Sequence, residues 1–120
     1  MSVRVKICGI NDAAGFDAAI EAGADWVGFV FFRPSPRWVS PQGAAALSGR
    51  MDGGPGRIGL FVEPTDAEVA EVLADVRLGA LQLYVTPERA DALRTRFGLP
   101  VWRAVGIGSA ADLPERAGLA

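Results

Sequence analysis

Five short β-like runs separated by helical runs set the tightest limit on what this chain can fold into. The runs are Val3–Cys8, Asp25–Phe32, Arg57–Val62, Ala80–Val85 and Val101–Val105. Their starts fall 22, 32, 23 and 21 residues apart. That spacing leaves room for a strand, a loop, a helix of about three turns and a second loop. Strands joined by single helices run parallel, because a crossover helix returns the chain to the same end. Residues 1–120 therefore read as one α/β domain of four βα units and part of a fifth. Two architectures satisfy this, a doubly wound open sheet and a barrel. The first βα turn, Cys8-Gly9-Ile10-Asn11-Asp12, is not the G-x-G-x-x-G of a dinucleotide fold.

The helices carry their own start and stop signals. Thr65 and Glu68 form a capping box, followed by Val69, Val72, Leu73 and Val76 at i, i+3, i+4, i+7. Thr86 and Pro87 open the next helix, with Ala90, Leu93 and Phe97 inward and Gly98 as its stop. Ser40-Pro41 opens the second helix in the same way, and the first runs from about Asp12 to Gly23 with Phe16, Ala19 and Ile20 on one face. A fifth helix is expected from Ser109, with Asp112 in its first turn. The Gly-rich Asp52–Gly56 segment precedes a strand and reads as a turn on the face opposite the usual site.

Composition narrows the function. Half of the chain is apolar and 22% is charged, which suits a packed core. The net charge of -2 and the scattered basic residues argue against a nucleic-acid partner. No apolar run approaches the roughly 20 residues needed to span a membrane. The opening Met1-Ser2-Val3-Arg4-Val5-Lys6 does not read as a signal peptide, and one cysteine forms no internal disulfide, so a cytoplasmic location is expected. With no histidine, Ser-His and Cys-His catalysis are ruled out, and so is the commonest transition-metal ligand. No metal site is expected.

In parallel α/β folds functional groups gather at the C-terminal ends of the strands, and alternate side chains face opposite ways. In the first strand Val3, Val5 and Ile7 suit packing against helices, while Arg4, Lys6 and Cys8 share the other face. Cys8 is the last residue, with Lys6 one step below it. A nearby ammonium favours a thiolate, and Gly9 leaves room for a ligand to approach the backbone. A small core cysteine beside a solvated lysine fits the same parity. After the second strand, Phe31-Phe32-Arg33-Pro34-Ser35-Pro36-Arg37-Trp38 carries two guanidiniums on a proline-stiffened loop. An arginine there suits an anion clamp, or is simply an exposed surface group. Gln82 and Tyr84 share one face of the fourth strand, suited to ligand contact or to packing. Gly106-Ile107-Gly108-Ser109 could hold a phosphate at a helix N-terminus, although such loops are common.

Several of these segments together resemble the phosphoribosylanthranilate isomerase family. Lys6-Ile7-Cys8-Gly9-Ile10 is similar to its opening signature. Gly28-Phe29-Val30-Phe31 with Ser35-Pro36-Arg37-Trp38-Val39-Ser40 is similar to its second-strand motif, Gly59-Leu60-Phe61-Val62 to its third strand and Leu81-Gln82-Leu83 to its fourth. The resemblance implies an eight-stranded TIM barrel. It also implies a cofactor-free Amadori rearrangement of N-(5-phosphoribosyl)anthranilate to the carboxyphenylamino-deoxyribulose phosphate. It gives Cys8 the role of general base on the C2 proton and Arg37 the anthranilate side of this phosphorylated small molecule. Lys6 and Gln82 join Arg37 as expected substrate-binding residues.

The chain departs from the family pattern in four places. Asn11 stands where Thr is usual and is expected still to cap the helix. Glu63 stands where Asn is more usual, and Tyr84-Val85-Thr86 replaces a His-Gly-acid run, so no histidine role passes to Tyr84. A complete barrel takes roughly 200 or more residues. The resemblance thus places the aspartate acid and the phosphate loops after Ala120, and Asp112 comes too early for that acid.

Three readings follow from the sequence. The first is an isomerase truncated in this sequence, with the 120 residues inactive alone. The second is an inactive half-barrel acting as a binding module or as a self-association module through its open edges. The third is an unrelated barrel enzyme, which would not be expected to repeat both the Lys-Ile-Cys-Gly and Ser-Pro-Arg motifs.

Overall fold

A computed structural model describes residues 4–104. Its elements alternate strictly: β1 Lys6–Cys8, α1 Ala13–Glu21, β2 Trp26–Val30, α2 Pro41–Ser48, β3 Gly56–Val62, α3 Asp66–Asp75, β4 Ala80–Tyr84, α4 Pro87–Phe97 and β5 Val101–Ala104. All neighbouring strands pair in parallel, in the order β1-β2-β3-β4-β5. A doubly wound sheet must reverse its strand order; this one never does. Right-handed crossovers in one direction place every helix on the same face.

The other face curves in on itself. Trp26 on β2 and Trp102 on β5 are three strands apart, about 14 Å in a flat sheet. Their ring centroids are only 5.2 Å apart. Lys6 on β1 likewise reaches Gln82 on β4 with a hydrogen bond. The sheet is therefore rolled like the wall of a barrel, five strands of an α/β TIM-type fold.

The local signals explain the helices. Ser40, Thr65 and Thr86 each accept a hydrogen bond from a first-turn backbone N–H, at Gly43, Glu68 and Arg89 respectively. Such caps are each worth about 1 kcal/mol. Thr65 and Glu68 complete their capping box, and Gly98 ends α4 in the left-handed conformation at φ 66°. Asn11 does not cap α1: Asp12 does, its carboxylate accepting from Gly15 N–H at 2.7 Å. The carboxylate one residue later meets the free N–H groups, so Asn11 stays exposed.

The helix-facing side of the sheet is the core. Val27, Phe29, Leu81 and Leu83 are fully excluded from water, and Phe16, Val69 and Leu93 close over them from the helices. Leu73, Ile20 and Phe97 pack only at its margin. Val76 leaves the helix, taking an extended conformation at the α3 C-cap, yet stays buried. Val5 does not pack against helices as expected; it precedes β1 and is 46% exposed. The expected helix from Ser109, the Gly106–Ser109 loop and Asp112 lie outside the described residues.

Below the sheet, the Asp52–Gly56 turn is organised by Arg57. Its guanidinium donates to the carbonyls of Ser48, Met51, Gly53 and Pro55 and to Ser48 Oγ. The Ser48 carbonyl ends α2, where a cation is favoured. The turn belongs to the architecture and lies away from the strand C-termini.

Candidate active site

The ladder fixes which side chains share the inner face. Lys6 aligns with Trp26 and Cys8 with Gly28, while Leu60 aligns with Gln82, Val62 with Tyr84 and Gln82 with Trp102. All of these but Gly28 and Val62 line a cavity of about 550 Å³, bounded by Arg4, Lys6, Cys8, Trp26, Leu60, Gln82, Tyr84 and Trp102. Strand parity puts Arg4, Lys6 and Cys8 on one face and Gln82 with Tyr84 on one face. The curvature of the sheet brings both sets around one space.

Cys8 ends β1 and is a free, half-buried thiol. Its lateral neighbour is Gly28. A methyl group at Gly28 would lie 3.0 Å from Cys8 Sγ. The missing side chain at Gly28 is what leaves the sulfur clear on that flank. Sequence reasoning missed this residue, because the contact depends on the β1–β2 register; the Gly28-Phe29-Val30-Phe31 motif was the only available hint.

Lys6 stands two residues below Cys8 on the same face. Its ammonium donates to Gln82 Oε1 and lies 5.7 Å from the centroid of the Trp102 ring. Burial pushes the Lys6 pKa down, partly opposed by the negative charge of a Cys8 thiolate. Gln82 is only 5% exposed, and its carboxamide oxygen is engaged by Lys6. A buried amide of this kind needs such a partner.

Arg37 reaches the same strand end from the β2–α2 loop. That loop is held by Ser35, whose hydroxyl accepts from Arg37 N–H at 3.1 Å and whose carbonyl accepts from Trp38 N–H at 3.1 Å. Val39 N–H donates to Val30 at 3.0 Å, tying the end of the loop back to β2. Arg37 Nη1 donates to the Cys8 carbonyl at 3.3 Å. The space above Gly9, expected to admit a ligand, is filled by Arg37 instead. A Cβ at Gly9 would lie 2.3 Å from Arg37 Cδ, and Gly9 has φ +85°. Glycine here serves both a left-handed turn and the passage of the arginine. Arg33 does not join the site; its guanidinium lies 5.1 Å from the centroid of the Trp38 ring.

A thiol and a guanidinium thus meet at the C-terminal end of β1, from residues 29 positions apart along the chain, with the Lys6 ammonium two residues below them. The thiol can move a proton, and the exposed guanidinium retains free N–H donors for an anion. Glu63, after β3, has φ 43°, a left-handed conformation that a glutamate rarely takes. Its N–H donates to the Tyr84 carbonyl at 3.2 Å, locking the β3 and β4 ends together. No helix among the described residues is long and apolar enough to cross a membrane.

Comparison with known proteins points to one family. The family model described as N-(5'phosphoribosyl)anthranilate (PRA) isomerase matches residues 5–119. The N-(5'-phosphoribosyl)anthranilate isomerase of Paramagnetospirillum magneticum is 52% identical over 115 residues, covering 94% of this chain and 54% of that relative. The crystal structure of phosphoribosyl anthranilate isomerase from Thermotoga maritima superposes with a TM-score of 0.80 at 36% identity, covering 97% of this chain and 56% of that one. A second crystal structure of such an isomerase, in complex with reduced 1-(o-carboxyphenylamino)-1-deoxyribulose 5-phosphate, also gives 0.80 at 36% identity, covering 97% and 59%. This chain spans about half the length of the curated relatives it matches. On the family match over residues 5–119, it belongs to the N-(5'-phosphoribosyl)anthranilate isomerase family.

Proposed function

We propose that this chain carries the base and carboxylate-clamp half of a phosphoribosylanthranilate isomerase site. The reaction is the Amadori rearrangement of N-(5-phosphoribosyl)anthranilate to the carboxyphenylamino-deoxyribulose phosphate. The carrying observation is that Arg37 reaches the Cys8 carbonyl at the end of β1 while Lys6 shares a cavity with Cys8, in a chain of this family.

The C1–O4 ring bond opens first, with a proton delivered to the ring oxygen by the acid that the family resemblance places after Ala120. Cys8, as thiolate, then removes the proton from C2 of the resulting iminium. The enol amine takes a proton at C1 and loses the one on O2 to give the ketose. Lys6 supplies positive charge beneath the sulfur. Gln82 lines the floor of the same cavity and, with Lys6, bounds the space the sugar enters. Arg37 exchanges its single bond to the Cys8 carbonyl for the paired contact that a guanidinium makes with a carboxylate. The substrate's anthranilate carboxylate is the group that fits. A cytoplasmic location, one working domain and a phosphorylated small-molecule substrate go with this reading.

The test joins residues 1–104 to the C-terminal part of the Paramagnetospirillum magneticum relative and follows conversion of N-(5-phosphoribosyl)anthranilate. Turnover is expected, and Arg37→Ala should raise KM at least tenfold with a smaller loss of kcat. A folded chimera that binds the product analogue but turns nothing over would overturn the reading.

A further inference from the structure

The cavity beside Cys8 holds two tryptophans to which the proposed chemistry gives no task. Trp26 and Trp102 meet edge to face, with an interplanar angle of 83°. Each ring also faces a cation. Arg4 lies 5.7 Å from the Trp26 centroid and Lys6 Nζ 5.7 Å from the Trp102 centroid. A lysine ammonium sits on a flexible four-carbon stem and is strongly hydrated. Half-buried here, it is held from two sides, by the Gln82 oxygen and the Trp102 ring. Those two holders are direct partners across the β4–β5 ladder.

We propose that Trp102 is a positioning residue for the base: its ring face, braced by Trp26, holds the Lys6 ammonium beneath the Cys8 thiol. This rests on the reading of Cys8 as base. An indole face attracts the ammonium and does little for the neutral amine, so it opposes the effect of burial. An ammonium fixed there favours the reactive thiolate. Among the described residues, the other charged or titratable groups around it are Arg4, which precedes β1, Cys8 on β1, Tyr84 on β4 and Arg37 at the Cys8 carbonyl. The inner positions of β2, β3 and β5 carry none: Trp26, Gly28 and Val30; Ile58, Leu60 and Val62; Trp102 and Ala104.

The pH dependence of Cys8 alkylation by iodoacetamide, on the 120-residue chain, tests this without any substrate. Cys8 is the sole cysteine, so the label reports one thiol. Trp102→Leu is expected to slow alkylation near neutral pH about threefold and to move the profile to higher pH, the size of a partly exposed cation–π contact. Trp102→Phe keeps a ring face and should stay near the parent. Lys6→Met should slow alkylation at least as much, and Trp102→Leu added to it should change nothing more. Trp102→Met stands in, with the same expectation as Trp102→Leu, if the latter fails to fold by circular dichroism. A parental profile in the ringless variant, an equal shift in Trp102→Phe, or a further loss in the Lys6→Met background would each overturn the proposal. So would an unchanged Lys6→Met profile. The base reading itself fails separately, on the turnover of Cys8→Ala.

Discussion

The two faces of one sheet differ in almost every respect. The helix-facing side is apolar and closed, built from Val27, Phe29, Phe61, Leu81 and Leu83. The inner side alternates with it residue by residue and carries Lys6, Cys8, Gln82 and Tyr84 among two tryptophans. The same backbone therefore supplies stability on one side and chemistry on the other. Period-two alternation is what separates them. The lesson is that substitutions on the two faces should fail in different assays.

Leu83→Ala should show the largest loss of stability. Leu83 is fully buried, and its truncation removes apolar contact and leaves a cavity. A loss of about 2–5 kcal/mol is expected in urea unfolding; a loss below about 1 kcal/mol would mean the helix-facing side is not the core. Gly9→Ala comes next, because it touches both functions. The left-handed turn at φ +85° should cost about 1–2 kcal/mol. The new methyl also displaces Arg37, so substrate affinity should fall with stability. If affinity fell and stability held, the strain argument would be wrong.

A smaller effect, of opposite sign, is expected at Glu63. Asn tolerates left-handed φ better than Glu, so Glu63→Asn should stabilise the fold by about 0.5 kcal/mol. Destabilisation in the same urea titration would show that the glutamate side chain matters more than its backbone. The smallest effect is a pH slope. Lys6 has a lowered pKa in the folded state, caused first by burial. Between that lowered value and the ordinary lysine pKa of 10.5 the unfolded chain binds more protons. Stability should therefore rise with pH across that window, and the cost of burying the charge is fully present below it. Lys6→Met should flatten the slope; an unchanged slope would assign it to other groups.

Much of this was legible in the sequence because it is local. Ser40, Thr65, Thr86 and Gly98 announce helix ends through hydrogen bonds made within three or four residues. Parity within a strand sorted Lys6 and Cys8 from Ile7, and Gln82 from Leu81 and Leu83. What stayed hidden depends on how strands are staggered and rolled. Gly28 matters through its register with Cys8, and Arg37 fills the space over Gly9 from 28 residues away. Trp26 and Trp102 meet only because the sheet curves. The choice of Asp12 over Asn11 as cap turned on one residue of helix phase, which propensity alone does not resolve.

The most direct measurement is turnover of N-(5-phosphoribosyl)anthranilate by Cys8→Ala in the chimera described above, alongside its thermal unfolding. Turnover should fall by about 10²–10⁴, the contribution of a positioned general base, with product-analogue affinity and melting temperature near those of the parent. Turnover within a few-fold of the parent would contradict the assignment of Cys8 as the base.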